Sequence, residues 1–542
     1  MMHYDLIIRQ AKVIDGSGRP GFEADVAIKN GRIARVGPLD RATADRERHA
    51  AGCVVAPGFI DTHSHADLAL VAGSDELEKL RMGVSTEVIG QCGFSAHPLS
   101  NQYLEFRRAG MSGFLPGKGL DWDWSNLTQY QTRIEKTGLF NNVVPLVGHG
   151  SVRIAVLGGR DSAPSASELD RMQSLVGEAM TMGAFGLSSG LIYPPASYAE
   201  TGELQALCQI VADYGGLYVT HVRGETAPLL DAAIDEAVTI SKASGLPLLI
   251  SHLKVIGLDS ASRGKIKDVL AMIEAARHEG LDIHFDCYPY TEGSTLLSTL
   301  IPGWAHTEGL EGLLNNLRRP ERRAKIRHAI ETDTTHWENW IRACGWEAIK
   351  IGSLDAGRPS SMLGRNLAEL AADQRVSPYD LLFDLLVQEK GNVVMVFAMM
   401  TERDMTTALL HPLGMIGTDA IPCPPGQGHP HPRGYGTFPR ILGRYVREQQ
   451  LLSLEEAVRK MTSLPAQTLG LHDRGLIGEG RAADLVIFDP ETIIDRADYR
   501  EPRRRPEGII DVIINGRLAL SDGRPTGITA GRCLKPDKAH VC

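Results

Sequence analysis

Between about Pro57 and Leu471, short apolar runs alternate with longer amphipathic stretches. This alternation is typical of βα units arranged around a parallel sheet. Eight runs have the character of parallel strands: CVVAPGFID, VSTEVIG, NNVVPLVG, AFGLSSG, GLYVTH, LPLLISH, LDIHFDCYPY and GMIGTD. Eight such strands suggest a closed structure, so we predict an α/β fold with a (β/α)8 TIM-like barrel over residues 57–471.

The two ends of the chain differ from this middle region. Residues 1–56 contain short β-branched and alternating apolar runs separated by DGSG and NGR turns. The same pattern of short apolar runs occurs within residues 472–542, where NG and DG again separate them. Such runs and turns are typical of β-hairpins, so we predict that both ends form one small β-sandwich domain.

A segment of about residues 303–350 is rich in charge and tryptophan, and it is longer than an ordinary βα connection. We predict a helical insertion here, with a lid beside the active site as one interpretation. Two helix starts are signalled elsewhere in the chain. Ser377 precedes Pro378, and Ser453 with Glu456 forms a capping box.

Composition excludes several functional classes. Hydrophobic residues make up 43% and charged residues 23%, as in globular domains rather than disordered or fibrous chains. The net charge of −9 and the lack of a long basic stretch argue against nucleic acid as a partner. No run reaches the ~18 apolar residues of a membrane span, and the N-terminus carries charges where a secretory signal would be apolar. The 8 cysteines form no CxxC pair, so we expect reduced thiols, a cytoplasmic location and no membrane partner.

Metal-capable side chains close five of the predicted strands. They are His63 and His65 after the first strand, Cys92 after the second, and then His221, His252 and Asp419. Alternate residues on a strand point the same way, so His63 and His65 can address one point. The carboxyl ends of barrel strands are where active sites lie. Thiolate and imidazole suit zinc, whereas an all-carboxylate set would suggest magnesium or calcium, so we predict a zinc site.

At this point the chain resembles a known family, the D-aminoacylases or N-acyl-D-amino-acid deacylases of the amidohydrolase superfamily. The resemblance extends over nearly the whole chain. It rests on APGFIDTHSHAD at 56–67, GQCGFS at 90–95, GHGSVR at 148–153, GLSSGLIYPP at 186–195, SHLK at 251–254, DCYPYTEGST at 286–295, IGTDA at 416–420, HPHPRGYGTFPR at 429–440, and MTSLPAQTLGL at 461–471 followed by GEGRAADLVIFDP.

The resemblance implies roles for individual residues. The ligands of a tightly bound zinc would be Cys92, His221 and His252, with the cysteine standing where many amidohydrolases use a carboxylated lysine. The ligands of a second, weaker metal position would be His63, His65 and Asp419, and Asp419 would also be the catalytic aspartate. The substrate-contacting residues would be Tyr193, Lys254, Tyr288, Ser294 and Arg433.

The resemblance also implies an activity, the zinc-dependent hydrolysis of small N-acyl-D-amino acids to a carboxylate and a free D-amino acid. Two alternatives stay open: a cyclic amide hydrolase of the dihydropyrimidinase or hydantoinase type, and a non-catalytic scaffold with the amidohydrolase fold. The lack of lysine in the strand-four run AFGLSSGLIY argues against the first, and the filled set of candidate ligands argues against the second. Leu253 stands where some relatives have histidine. The sequence does not determine which amino-acid side chain or which acyl group of the substrate is preferred, nor the oligomeric state.

Overall fold

The computed structural model describes residues 2–73, 77–111, 119–333, 335–354, 360–424 and 426–536. In chain order the strands are β1 (His3–Val13), β2 (Phe22–Lys29), β3 (Arg32–Gly37), β4 (Thr43–His49), β5 (Val54–Pro57), β6 (Phe59–Asp61), β7 (Val84–Ile89), β8 (Asn142–Pro145), β9 (Val147–Gly148), β10 (Gly186–Gly190), β11 (Leu217–His221), β12 (Leu248–Ile250), β13 (Ile283–Cys287), β14 (Glu292–Leu296), β15 (Ile349–Ser353), β16 (Val394–Ala398), β17 (Gly414–Ile416), β18 (Leu485–Phe488), β19 (Ile509–Ile514), β20 (Arg517–Ser521) and β21 (Arg524–Pro525).

The α-helices are α1 (Asp67–Ala72), α2 (Leu77–Arg81), α3 (Leu104–Met111), α4 (Leu127–Thr137), α5 (His149–Leu157), α6 (Ala166–Thr181), α7 (Thr201–Asp213), α8 (Ala227–Ser244), α9 (Ile266–His278), α10 (Gly309–Leu317), α11 (Pro320–Thr332), α12 (Trp340–Cys344), α13 (Leu367–Gln374), α14 (Pro378–Gln388), α15 (Glu402–Leu410), α16 (Arg433–Arg440), α17 (Leu454–Met461) and α18 (Ser463–Thr468). The predicted helix starts are confirmed, because Ser377 and Ser453 accept hydrogen bonds from the backbone N–H of Asp380 and Glu456. No helix within the described ranges is long and apolar enough to cross a membrane.

The barrel consists of parallel strands in two hydrogen-bonded groups. One group has the order β6-β7-β8 and the other β9-β10-β11-β12-β13-β17, with β9 continuing the strand begun by β8. The barrel closes where Ser64 pairs with Ala420 in a parallel bridge, next to a hydrogen bond of 2.8 Å from Asp419 N to His63 O. The predicted (β/α)8 barrel is therefore confirmed. The first and last strands meet where two of the candidate ligand segments lie.

The interior of the barrel is a packed apolar floor below these strand ends. Its central side chains come from six strands and are at most 1% exposed: Ile60, Val88, Val144, Val219, Leu249 and Met415. Large aliphatic residues fill the space, as in other TIM barrels. Polar side chains at the carboxyl ends of the strands therefore lie on a rigid, water-free support.

The first predicted strand, CVVAPGFID, divides between two sheets. Residues Val54–Pro57 pair with β1 and β18, whereas Phe59–Asp61 begin the barrel. Gly58 separates the two parts, and a side chain there would collide with Ser85. Our prediction of one continuous strand was wrong, because both parts are buried and apolar and their periodicity does not differ.

The small β-domain is a nine-stranded sheet built from both ends of the chain. Its order is β21-β20-β19-β18-β5-β1-β2-β3, with β4 also pairing with β1. The N-terminal and C-terminal parts join where Leu485 of β18 pairs with Pro57 of β5. We propose residues 1–56 and 472–542 as the extent of this domain and 57–471 as that of the barrel, although Met1 and 537–542 lie outside the described residues.

A large insertion lies between β13 and β17. The predicted segment 303–350 contains α10, α11 and α12, and the helices α13 and α14 follow. The insertion also contains a three-stranded antiparallel sheet, in the order β14-β16-β15, which the sequence analysis did not predict. One edge strand of this sheet, β14, carries the predicted substrate-contacting residue Ser294.

Candidate metal centre and substrate cavity

The six candidate ligands lie together at the carboxyl ends of the barrel strands, and none is more than 8% exposed. His63 and His65 follow β6, and Cys92 follows β7. His221 ends β11, His252 follows β12, and Asp419 follows β17. Residues that are hundreds of positions apart in sequence thus converge because parallel strands end at one face.

Cys92 is the centre of this cluster. Its Sγ lies 3.3 Å from His63 Nε2, 3.5 Å from His252 Nε2 and 3.8 Å from His221 Nδ1. Zinc bonds of about 2.3 Å to sulfur and about 2.0 Å to nitrogen place tetrahedral ligands at such separations. The ligand atoms of Cys92, His221 and His252 all lie within 4.8 Å of one another, as a shared ion requires.

Asp419 extends the cluster on the side of the first strand. Its Oδ1 lies 3.3 Å from His65 Nε2 and 3.7 Å from His63 Nε2. His63, His252 and Asp419 form a second potential metal-binding group, and His63, His65 and Cys92 form a third. Because the groups share Cys92, His63 and His252, the donors can hold one ion or two adjacent ions.

Three of the candidate ligands have left-handed backbone conformations. The φ angles are 52° at Cys92, 37° at His252 and 49° at Asp419. Such conformations are costly for residues other than glycine and persist where surrounding contacts enforce them, commonly at functional sites. These three backbone conformations therefore lower the stability of the fold, and they direct the three side chains to one point.

Two buried carboxylates orient the candidate histidine ligands from behind. Glu225 lies 3.4 Å from His221 Nε2 and 3.2 Å from His252 Nδ1, the ring nitrogens turned away from Cys92. Asp286 lies 3.6 Å from His63 Nδ1 and accepts a hydrogen bond of 2.6 Å from His252 N. Carboxylates in this position fix the orientation of metal-ligating histidines.

Neither Glu225 nor Asp286 was predicted as a functional residue from the sequence, although weak signals for both existed. Glu225 lies four residues after His221, and Asp286 lies within the strand β13, next to its end.

A buried lysine holds the strand ends that carry His63 and Asp419. Lys79 Nζ donates a hydrogen bond of 2.9 Å to Thr418 Oγ1 and also contacts Asp61. Asp61 in turn accepts from the backbone N–H groups of His63 (3.2 Å) and Thr418 (2.7 Å). One cation from α2 thereby ties β6 to β17 beneath the candidate metal centre.

Burial and neighbouring charges together favour the metal-binding protonation states of these donors, except at the thiol. Burial lowers the pKa of His252 to about 3, with a further contribution from Lys254, and lowers the pKa of His63 well below its usual value. Both rings are therefore neutral imidazoles. Burial alone would raise the pKa of Asp419, but the Arg433 guanidinium and nearby imidazoles hold it well below its usual range. Burial raises the pKa of the Cys92 thiol, so a thiolate there needs a bound cation.

Arg433 and Lys254 are buried beside the cluster, which excludes the alternative of surface ion pairs. Arg433 is 1% exposed, and it donates a hydrogen bond of 2.7 Å to Asp419 Oδ2 and one of 3.0 Å to Ser294 O. Lys254 donates to Glu225 Oε1 at 2.7 Å, and its Nζ lies 2.6 Å from His252 Nδ1. Both cations therefore contact groups that surround the candidate metal centre.

His431 supports Arg433. The loop that carries it is rich in glycine and proline, but His431 is buried. Its Nδ1 accepts a hydrogen bond of 3.0 Å from Arg433 N, and its Nε2 lies 3.0 Å from Glu292 O as a donor. It is buried because the loop packs against β14 of the insertion.

The remaining predicted substrate contacts line one small cavity of about 30 Å³ above the candidate ligands. Tyr193 packs with its ring centroid 5.2 Å from that of His221, and its hydroxyl lies 3.1 Å from Thr295 Oγ1. The Tyr288 hydroxyl is buried and has no hydrogen-bond partner among the described residues. Ser294 lines the same cavity from β14. The structure thus brings all five predicted substrate-contacting residues to the metal-capable cluster.

A larger cleft of about 560 Å³ adjoins this cavity and shares Phe94, Tyr193 and Trp340 with it. Further aromatic residues line the cleft: Phe106, Tyr198, Trp304 and Trp337. Its charged or titratable residues are Arg107, Asp161, Arg223, Asp333, His336, Glu338 and His306. The volume falls within the roughly 300–1,000 Å³ of typical small-molecule sites, and much of the wall is apolar.

Comparisons with known proteins agree with this geometry. The chain matches the model of the amidohydrolase family over residues 46–519. It is 35% identical over 534 residues to N-acyl-D-glutamate deacylase of Alcaligenes xylosoxydans xylosoxydans, covering 98% of this chain and 97% of the relative. It is 35% identical to D-aminoacylase of the same organism (98% and 97% covered) and 34% identical to its N-acyl-D-aspartate deacylase (99% and 96% covered).

Solved structures extend the likeness to three dimensions. N-acyl-D-glutamate deacylase from Bordetella bronchiseptica, complexed with zinc and a phosphonate inhibitor, is 31% identical with a TM-score of 0.81 and coverage of 98% and 100%. A crystal structure of D-aminoacylase is 34% identical with the same TM-score and coverage. L-hydantoinase from Arthrobacter aurescens is 16% identical with a TM-score of 0.55 and shares the fold alone. This chain therefore belongs to the amidohydrolase family, and within it to the group formed by the D-aminoacylases and N-acyl-D-amino-acid deacylases.

Proposed function

We propose that this protein is a metal-dependent deacylase that hydrolyses N-acyl-D-amino acids to a carboxylate and a free D-amino acid. The observation that carries the proposal is the juxtaposition of a Cys/His/Asp donor cluster with a buried guanidinium. Arg433 lies 2.7 Å from Asp419, which is itself within 3.7 Å of two candidate histidine ligands. A substrate that carries both an amide and an adjacent carboxylate matches this pair of features. The named deacylases above support the linear amide and the D configuration.

The donor set fits zinc, because neutral imidazoles and one thiol are suitable ligands and the buried thiol needs a cation to ionise. We assign the tightly bound ion to Cys92, His221 and His252. We assign a second, weaker position to His63, His65 and Asp419. Zinc bound here would lower the pKa of a water molecule and polarise the amide carbonyl.

Asp419 is placed to move the proton during hydrolysis. Its low pKa keeps it ionised at neutral pH, so it can accept a proton from the attacking water. Arg433 binds Oδ2, which leaves Oδ1 facing His63 and His65. The same carboxyl would then deliver the proton to the nitrogen of the leaving amine.

The substrate carboxylate would bind to Arg433, with Lys254, Tyr288 and Ser294 as further donors. Arg433 Nε and the Tyr288 hydroxyl are buried and lack hydrogen-bond partners among the described residues. Buried donors are almost always satisfied, so unsatisfied ones beside a cavity indicate a missing acceptor. A carboxylate supplies acceptors for both, and guanidinium groups bind carboxylates with strong, oriented hydrogen bonds.

The cleft beside the cavity favours an apolar substrate side chain over an acidic one. Phenylalanine, tyrosine and tryptophan supply 7 of the residues in its wall, and Arg223 is already paired with Glu236. Arg107 is 3% exposed and donates to Ser95 O and Ser151 Oγ. The acidic residues Asp161 and Asp333 would repel a second carboxylate. The free state of the described cysteines agrees with a reducing compartment, and we propose a cytoplasmic location.

A matched substrate panel tests this function. Release of free amine would be measured for N-acetyl D- and L-amino acids, and ring opening for hydantoin and dihydrouracil, with zinc-loaded and chelator-stripped protein. We expect zinc-dependent cleavage of D isomers, strongest for apolar side chains. Asp419→Ala should retain zinc and lose most turnover. Ring opening without cleavage of linear amides would instead establish the cyclic amide hydrolase.

A further inference from the structure

The helical insertion contributes a buried carboxylate, Glu338, to the loop that carries Glu225. Glu338 is 6% exposed and lies just before α12. Its Oε1 accepts a hydrogen bond of 3.1 Å from Thr226 N and also one from Glu225 N. Its Oε2 accepts from Trp340 Nε1 at 2.5 Å. The carboxylate is therefore satisfied by three N–H donors, two of which belong to the loop after β11.

This contact has the form of a helix cap supplied from outside the helix. Thr226 is the N-cap of α8, an 18-residue helix, and its own side chain makes no capping hydrogen bond. The first N–H groups of a helix lack partners within it, and a side-chain oxygen that accepts from them is favourable. Gly224 leaves room for the approach, because a Cβ at this position would lie 3.1 Å from Glu338 Oε1. The loop after β11 therefore accommodates the Glu338 side chain and donates two N–H groups to it.

The capped loop is continuous with the supports of the candidate zinc ligands. Glu225 contacts His221, His252 and Lys254 at 2.7–3.4 Å. The same loop binds the segment after β12, where Ile256 N donates to Glu225 O at 2.8 Å. The insertion holds that segment as well, because Leu258 N donates to Ala343 O at 3.3 Å. Glu338 therefore fixes the backbone from which Glu225 reaches both histidines.

We propose that Glu338 is a positioning residue, supplied by the insertion, that sets the geometry of the zinc ligands His221 and His252 by fixing the backbone of Glu225. This inference rests on the proposed zinc-dependent deacylase. It assigns the segment around Glu338 a structural role at the metal centre, so this part of the insertion stays anchored beside the site.

The test compares full-length Glu338→Ala, Glu338→Asp and Glu338→Gln with a control variant, Ile326→Ala. Ile326 is fully buried in α11 of the same insertion and is remote in sequence from the capped loop. Zinc affinity would be measured by competition with a chromophoric chelator. KM and kcat would be measured with N-acetyl-D-leucine, and unfolding by thermal melts.

We expect Glu338→Ala to weaken zinc binding by up to about 10-fold, less than the 10–100-fold that is usual when a group in direct contact with a metal ligand is removed. Glu338→Gln should restore most of the affinity because its amide oxygen still accepts from Glu225 N and Thr226 N. Glu338→Asp should behave like the alanine variant because its shorter side chain withdraws the acceptor. Ile326→Ala should lower the melting temperature and leave zinc affinity unchanged.

A double-mutant cycle tests whether Glu338 influences zinc affinity through Glu225. If Glu338 acts through Glu225, then Glu338→Ala should weaken zinc binding little further in a Glu225→Gln background. Wild-type zinc affinity in Glu338→Ala and Glu338→Asp would overturn the proposal, and so would equal losses in Ile326→Ala. Zinc affinity does not depend on turnover, so a wild-type protein without deacylase activity would refute the proposed function while the cycle still tests Glu338.

Discussion

Arg433 offers a direct test of how the substrate is recognised. In Arg433→Met, the hydrogen bonds to Asp419 and Ser294 and the cation for the substrate carboxylate are lost together. A hydrogen bond to a charged group contributes about 1.5–3 kcal/mol, and every 1.4 kcal/mol is tenfold in affinity. We therefore expect loss of the substrate carboxylate contact to lower kcat/KM for N-acetyl-D-leucine about 10–150-fold through KM, because the carboxylate is bound equally in ground and transition states. Loss of the Asp419 contact should in addition lower kcat on any substrate.

The paired assay uses N-acetyl-D-leucinamide, which keeps the scissile amide and lacks the carboxylate. Wild-type protein should prefer the acid over this amide by about the same factor, and Arg433→Met should lose that preference. Arg433→Lys serves as the control, because it keeps the charge but not the guanidinium fork. An equal loss on acid and amide would refute carboxylate recognition, since Arg433 would then act only through Asp419.

Three further outcomes follow from the structure. Cys92→Ser should lose tight zinc binding in a chelator competition, since a serine hydroxyl is a poor substitute for thiolate, and retained affinity would remove Cys92 from the ligand set. Lys79→Met leaves Asp61 buried without its cation, so urea unfolding of the metal-free protein should show a loss of about 3–5 kcal/mol, against none for an exposed lysine. Burial lowers the pKa of His97 to about 3 and of His306 to about 4, below the ordinary value near 6.5. The unfolded chain therefore binds more protons between about pH 6.5 and pH 3–4, stability should fall as pH drops through that window, and His97→Asn should flatten the pH dependence of the melting temperature.

The barrel was predictable from sequence because its signal is local and repeated. Each strand is a short apolar run followed by an amphipathic stretch, and the strand ends carry the residues that converge in space. The positions of Cys92, His221 and His252 at predicted strand ends likewise indicated from the sequence alone that these residues lie together. It failed at Gly58, where one apolar run serves two sheets, because burial on both sides of the break leaves no change in pattern.

Features that depend on long-range packing were not predictable in this way. The sheet of the insertion pairs Glu292 with Ala398, and Glu338 reaches Glu225 across 113 residues. His431 resembles an exposed loop residue until β14 packs against it. In each case the partner lies on another element, and a single sequence carries no signal that joins the two positions.

The supports of the candidate metal centre explain how its strain is tolerated. Left-handed backbone at Cys92, His252 and Asp419 costs about 1–3 kcal/mol at each residue, and nothing local to these residues repays it. The compensation comes from elsewhere: Lys79 ties β6 to β17 below Asp419, and Asp286 holds the backbone of His252 with a 2.6 Å hydrogen bond. Because these groups are buried and charged, each is costly to leave unpaired, so the network forms as a whole. The contacts that hold these strand ends therefore also orient the candidate ligands, which reduces the ordering that metal binding would require.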